Sequence, residues 1–167
     1  MVVIYTSTTV PINTPKDDSV RLTSAEFWKV LEHKCRNPVS FVKAITSSRV
    51  VREDHDQQTK QVTGLTRMVT IDGVEGEIEE VAILKRPVMI AFTIPSTGTS
   101  ITNILSQGVE EGEMYMVSTY EWHHPEVEDG SEEHKKLMDL YWRLSSETVK
   151  HTVAVARQMK SEGKLTI

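Results

Sequence analysis

Two charged residues stand in runs that otherwise read as apolar sheet wall. Arg67 falls in an alternation with Leu65, Val69 and Ile71, and Glu80 in one with Ile78, Ala82 and Leu84. The runs are consecutive and joined by Asp72-Gly73, a strong turn signal, so counting out from that turn Arg67 and Glu80 can approach across the hairpin. A charge in an apolar wall needs a partner. In the functional reading Arg67 polarises a substrate carbonyl and Glu80 acts as a base. In the structural reading they form an ion pair or face water, as cross-strand charge pairs on antiparallel sheets commonly do.

Glu113–His123 splits by alternation into two faces. Met114, Met116, Ser118, Tyr120 and Trp122 share the one better suited to a binding wall, because Met adapts to irregular shapes and Tyr and Trp carry polar tips on apolar bodies. The same residues would also make an ordinary core, and a one-residue phase error exchanges the faces. Asn103, flanked by Ile101 and Leu105, is a further inward polar group. Near the C-terminus Tyr141, Ser145, Thr148 and Thr152 recur at i, i+4, i+7 and i+11, one face of a helix. Their hydroxyls either anchor an oxygenated ligand or bond back to helix carbonyls. His151 flanks that stripe, either as a general base near neutral pH or as a solvated residue. The candidate catalytic set is therefore Arg67, Glu80, Tyr120 and His151. The candidate ligand-binding set is Asn103, Met116, Ser118, Trp122, Tyr141, Ser145 and Thr148.

Other chemistries find no support. The six histidines show no helical ligand pair with a third ligand implied: Asp54-His55-Asp56 reads as a turn, and His123-His124 point to opposite faces of a strand. No metal and no cofactor is expected. No G-x-S-x-G elbow, P-loop or dinucleotide fingerprint occurs. Cys35, the single cysteine, precludes an intrachain disulfide and favours a reducing, cytoplasmic setting; on its helix it reads as a small buried hydrophobe. Net charge is −5, from 24 acidic and 19 basic residues, and the cations are scattered, which disfavours a nucleic-acid partner. No apolar run approaches the ~20 residues of a membrane helix, and Met1–Pro11 lacks signal-peptide character, so membrane insertion is not expected.

These groups need elements to position them. Met1–Ile12 reads as a first strand and Asn13–Arg21 as a polar loop. Thr23-Ser24-Ala25-Glu26 is a capping box opening a helix with an apolar face of Phe27, Leu31 and Cys35 beside Trp28. Asn37-Pro38 ends it, and Pro38–Ile45 reads as a short second helix. Six strands follow: Arg49–Glu53, Gln61–Ile71, Glu77–Lys85, Val88–Ile94 (apolar, hence central), Ile101–Val109 and Glu113–His123. Repeated short strands with turns every 8–15 residues make them an antiparallel meander. After an acidic loop at Pro125–Gly130, Ser131 caps a last helix running to about Ser161 and stopped by Gly163, roughly 45 Å long at 1.5 Å per residue. The expectation is a single α+β domain over residues 1–167, with a seven-stranded curved antiparallel sheet, two short helices after the first strand, and a long C-terminal helix over a central cavity.

That order resembles the helix-grip fold of the START and birch-pollen-allergen (SRPBCC) superfamily. Phe27-Trp28-Lys29-Val30-Leu31 followed by Arg36-Asn37-Pro38 and Phe41-Val42 resembles the opening of the AtaL-like family, as do Thr119-Tyr120-Glu121-Trp122 with His124-Pro125, and Ile101-Thr102-Asn103 after a Gly-containing turn. The resemblance covers roughly residues 20–160. It implies a deep apolar cavity, a hydrophobic or polyketide small molecule as partner, and an accessory cyclase role in secondary metabolism, including lactone or pyrone formation. It supplies no shared catalytic motif. The alternative is a non-catalytic carrier using the same hollow; a homodimer stays open. If the chain is a cyclase, Arg67, Tyr120 or Asn103 would stabilise an oxyanion, and Glu80 or His151 would move the proton.

Overall fold

The computed structural model describes residues 1–13 and 20–165. Most of the loop expected at Asn13–Arg21 lies outside those residues. Strand β1 is Val2–Pro11, helix α1 Ser24–Arg36, β2 Ile45–His55, β3 Val62–Ile71, β4 Ile78–Lys85, β5 Met89–Ile94, β6 Thr99–Gln107, β7 Met114–His124, and α2 Glu132–Ser161. The seven strands form one antiparallel sheet in the order β1-β7-β6-β5-β4-β3-β2, so the apolar β5 is the middle strand, as its composition predicts. The fold is the helix-grip arrangement, a curved sheet with a long C-terminal helix.

The capping box forms as the sequence dictates. Thr23 Oγ1 accepts from the Glu26 N–H, and the Glu26 carboxylate accepts from the Thr23 N–H at 2.9 Å. Glu26 also pairs with Lys160 near the end of α2, fastening the start of one helix to the end of the other. Thr23→Ala should cost about 1 kcal/mol in a urea unfolding series, with an unchanged m value.

The second short helix is a correction. Pro38–Ser40 is a single 3₁₀ turn, closed by the Phe41 N–H on the Pro38 carbonyl at 2.8 Å, with no side-chain cap from Asn37. Too few residues follow Pro38 to offset helix nucleation, and Val42, Ile45 and Thr46 are β-branched. The chain instead enters β2 at Ile45, which makes that strand longer at both ends than the expected Arg49–Glu53. Asp72-Gly73 makes the β3–β4 turn, where Gly73 holds φ of 76°, a conformation that costs Gly little. The α2 terminus is likewise followed by Gly163 at φ 70°.

The core lies between the concave sheet face and the helices. From α1 come Phe27, Trp28, Val30 and Leu31; from the sheet Leu65, Ala82, Leu84, Ile90, Phe92, Leu105 and Met116; from α2 Val149, Val153 and Ala156. A smaller cluster of Val2, Ile4 and Val127 packs with Trp122, Leu137 and Tyr141 near the start of α2. The inward face of β7 is that of Met114, Met116, Ser118 and Tyr120, all buried.

Candidate functional site

Within this apolar interior sits a line of polar side chains. Arg67 and Glu80 are directly opposed in the β3–β4 register, and both are almost wholly buried. Arg67 Nε donates to Glu80 Oε2 at 2.7 Å, and its second terminal nitrogen reaches the same oxygen at 2.5 Å. The remaining terminal nitrogen donates to the carbonyls of Lys34 (3.0 Å) and Cys35 (2.6 Å), while the guanidinium lies 4.9 Å over the Phe92 ring. The end of α1 leaves carbonyls without helical partners, and Arg67 satisfies two of them. The guanidinium thus joins β3, β4 and α1.

Lys34 is the residue that sequence reasoning missed. It projects from α1 into the interior with its side chain buried. Its Nζ donates to Thr152 Oγ1 of α2 at 3.1 Å and to Asn103 Oδ1 of β6 at 3.4 Å. Asn103 Oδ1 also accepts from Ser118 Oγ at 2.9 Å, across the β6–β7 register. Burial, reinforced by the positive charge of Arg67, drives the Lys34 pKa down to about 7. The signal was legible: Lys34 continues Phe27 and Leu31 at i+7, a lysine on the apolar face of an amphipathic helix. Cys35 beside it is also buried, and desolvation pushes its thiol up to about 11, so it stays a protonated thiol at neutral pH.

On α2, Ser145 and Thr152 are buried and Tyr141 and Thr148 half-buried. Ser145 Oγ donates to the Trp142 carbonyl and Thr152 Oγ1 to the Thr148 carbonyl, so both hydroxyls bond back along the helix, while Thr152 also receives Lys34. Tyr120 on β7 is buried, and desolvation raises its phenol to about 12. From it a stack of rings leads outward: Trp122 at 5.5 Å and 6° from Tyr120, then Tyr141 at 4.3 Å and 7° from Trp122. His124 Nε2 lies 2.8 Å from the Tyr141 hydroxyl and its Nδ1 3.1 Å from Glu126. Two buried polar atoms in this region, Thr6 Oγ1 and Trp122 Nε1, have no hydrogen-bond partner. Such orphans are rare in native interiors.

Two recesses flank the interior. One, of about 320 Å³, reaches Thr6 and Tyr120 and is bordered by Tyr5, Ser7, Glu121 and Trp142. The other, of about 330 Å³, opens between α1 and α2 against His33, Phe41, His151, Val155 and Met159. His151 sits in that second recess, with Nε2 3.1 Å from the Ser40 carbonyl. The structure therefore gathers Asn103 and Ser118 around Lys34, joins Arg67 to Glu80 beside it, and stacks Tyr120, Trp122 and Tyr141. Met116 is wholly buried in the core, and His151 is placed at the α1–α2 opening. Among the described residues no group of three His, Cys, Asp or Glu side chains could hold a metal ion, and no helix is long and apolar enough to cross a membrane.

Comparison with known proteins places this geometry. A solved structure described as the Zhui aromatase/cyclase from Streptomyces sp. R1128 superposes with a TM-score of 0.65 at 14% identity, covering 95% of this chain and 96% of that one. The protein XoxI from Bacillus cereus superposes with a TM-score of 0.61 at 12% identity over 96% of this chain and 98% of its own. At such identities these likenesses show the fold. In sequence, the chain is 29% identical to the acetylaranotin biosynthesis cluster protein L of Aspergillus terreus (strain NIH 2624 / FGSC A1156), over 93% of this chain and 89% of that protein. The family model described by that same name, AtaL, matches residues 6–163. The chain belongs to the AtaL family.

Proposed function

We propose that this protein binds a hydrophobic, oxygen-rich small molecule of secondary metabolism between α2 and the concave sheet face, and promotes its ring closure as a polyketide cyclase, including closure to a lactone or pyrone. The observation that carries the reading is the Lys34 amine, buried with no carboxylate bonded to it and held by Thr152 and Asn103. A structural lysine gains nothing there that Leu or Met would not supply more cheaply. An amine that titrates near 7 can take a proton from an enol or an activated carbon at physiological pH. The sequence relative from a biosynthesis cluster and the structural neighbour that is an aromatase/cyclase support the same direction.

In this reading the ligand enters as α2 shifts on the sheet, and the closed interior holds it near its reactive geometry with water excluded. Tyr120 keeps its proton to about pH 12 and donates to the developing oxyanion, with the Asn103 amide as second donor. Thr6 and Trp122 supply the unused hydrogen-bonding atoms that fix the ligand's oxygens. Arg67 acts through Lys34, by fixing the end of α1 and adding a positive charge that disfavours the ammonium, while Glu80 holds the guanidinium in place. His151 stands at the opening between the helices. Tyr120→Phe should lower the rate of ring closure about 10²-fold with little change in thermal stability. An unchanged rate in the folded variant removes Tyr120 from the chemistry.

A second reading, a carrier without chemistry, is favoured by the Arg67 guanidinium being committed to the protein's own groups and by the back-bonded Ser145 and Thr152 hydroxyls. It predicts that a bound molecule leaves unchanged.

A further inference from the structure

The hydrogen bonds around Lys34 bear on which form of its nitrogen the fold accommodates. An ammonium carries three N–H donors and no lone pair; a neutral amine carries two donors and one lone pair. Lys34 Nζ meets two acceptors, Thr152 Oγ1 and Asn103 Oδ1, and forms no ion pair among the described residues. The charged groups that face it from the packed elements are Arg67 and Glu80, and Glu80 is bound by Arg67. The two N–H bonds of a neutral amine are thereby used, and its lone pair is left without a partner. The α1–α2 recess is lined by His33 and His151, the chain neighbours of Lys34 and Thr152, and not by Lys34 or Thr152 themselves.

From this geometry we infer that Lys34 is a nucleophile that condenses with a ketone or aldehyde of the bound ligand to form an imine. The inference rests on the small-molecule reading above and deepens it. The Nζ lone pair attacks the carbonyl carbon, and the C–O π electrons move to oxygen. The resulting carbinolamine then loses that oxygen as water, which carries away the two hydrogens of the amine. The imine makes the adjacent C–H acidic, so the carbon beside it can attack a second carbonyl of the same ligand. Addition of water to the imine restores the amine and the carbonyl oxygen, and no oxidant or reductant is needed.

The probe is benzoylacetone, whose condensation with an amine gives a stable conjugated enaminone. Wild-type protein is incubated with it over a pH series and read by intact mass and peptide mapping. The expected result is one adduct of the probe less one water, on Lys34, forming half-maximally near pH 7. Exposed lysines, protonated until about pH 10, should label at least ~10²-fold more slowly at neutrality. An unmodified Lys34, or labelling spread over other lysines, overturns the inference. If Lys34→Met abolishes conversion of the natural ligand but wild type forms no adduct, Lys34 is a proton acceptor; the covalent step then fails while the proposed function stands. An adduct at Lys34 in a protein that converts nothing supports the inference and removes the ring-closure reading.

Discussion

Replacing Arg67 with methionine will destabilise the protein by about 3–5 kcal/mol. The guanidinium has a carboxylate, two backbone carbonyls and an aromatic ring as partners, all inside the core. Its removal leaves Glu80 as a buried unpaired charge and releases the Lys34 and Cys35 carbonyls from their donor. The net worth of a buried pair is small, because desolvation offsets attraction, but breaking one partner exposes the full cost of the other. The double variant Arg67→Met/Glu80→Leu should therefore recover most of the loss. Urea unfolding measures both, and a single-variant cost below about 1 kcal/mol would show that water reaches the pair. As Arg67 also holds the backbone at Lys34, a folded Arg67 variant should lose ring closure as well.

Lys34→Met should do the reverse, stabilising the fold while abolishing conversion. The Lys34 pKa is about 7 in the folded protein against 10.5 ordinarily. Between those values the unfolded chain binds more protons, so the contribution of this group to stability rises with pH. The penalty is full below pH 7 and vanishes above about 10.5. Methionine removes it and also leaves Asn103 and Thr152 without the amine, so the net gain at pH 7 is on the order of 2–4 kcal/mol. That gain should shrink toward zero as pH approaches 10, and subtracting the two unfolding series cancels the other titrating groups. A pH-independent difference would mean that Lys34 is charged and solvated.

The expected elements were legible because their determinants are local. The Thr23–Glu26 box, the Asp72-Gly73 turn, the apolar run of β5 and the Ser131 start of α2 each decide structure within a few residues. That Arg67 and Glu80 approach each other was legible from their places on consecutive strands, but their exact pairing is set by the longer connection between Ile71 and Ile78. The stretch after Pro38 misled because a Pro and an apolar spacing suit a helix turn, while its brevity and β-branching decide against continuing. The Lys34 contacts were not legible. They join α1, β6 and α2 across sequence separations of 69 and 118 residues, and only the assembled fold makes a lysine on the apolar face the centre of a polar cluster. The stack from Tyr120 to Tyr141 is partly readable, since Tyr120 and Trp122 share a face, but Tyr141 joins it only through the placement of α2.

Conversion of a ligand separates a cyclase from a carrier in one fold. The most direct measurement is mass spectrometry of small molecules in an extract of the cell that makes this protein, incubated with wild type and with Ser145→Trp, which fills a buried position on α2. A cyclised isomer or dehydrated product should accumulate with wild type and be lost in the variant. A molecule captured by wild type and released with its mass and retention unchanged, with no new product formed, would contradict the cyclase reading.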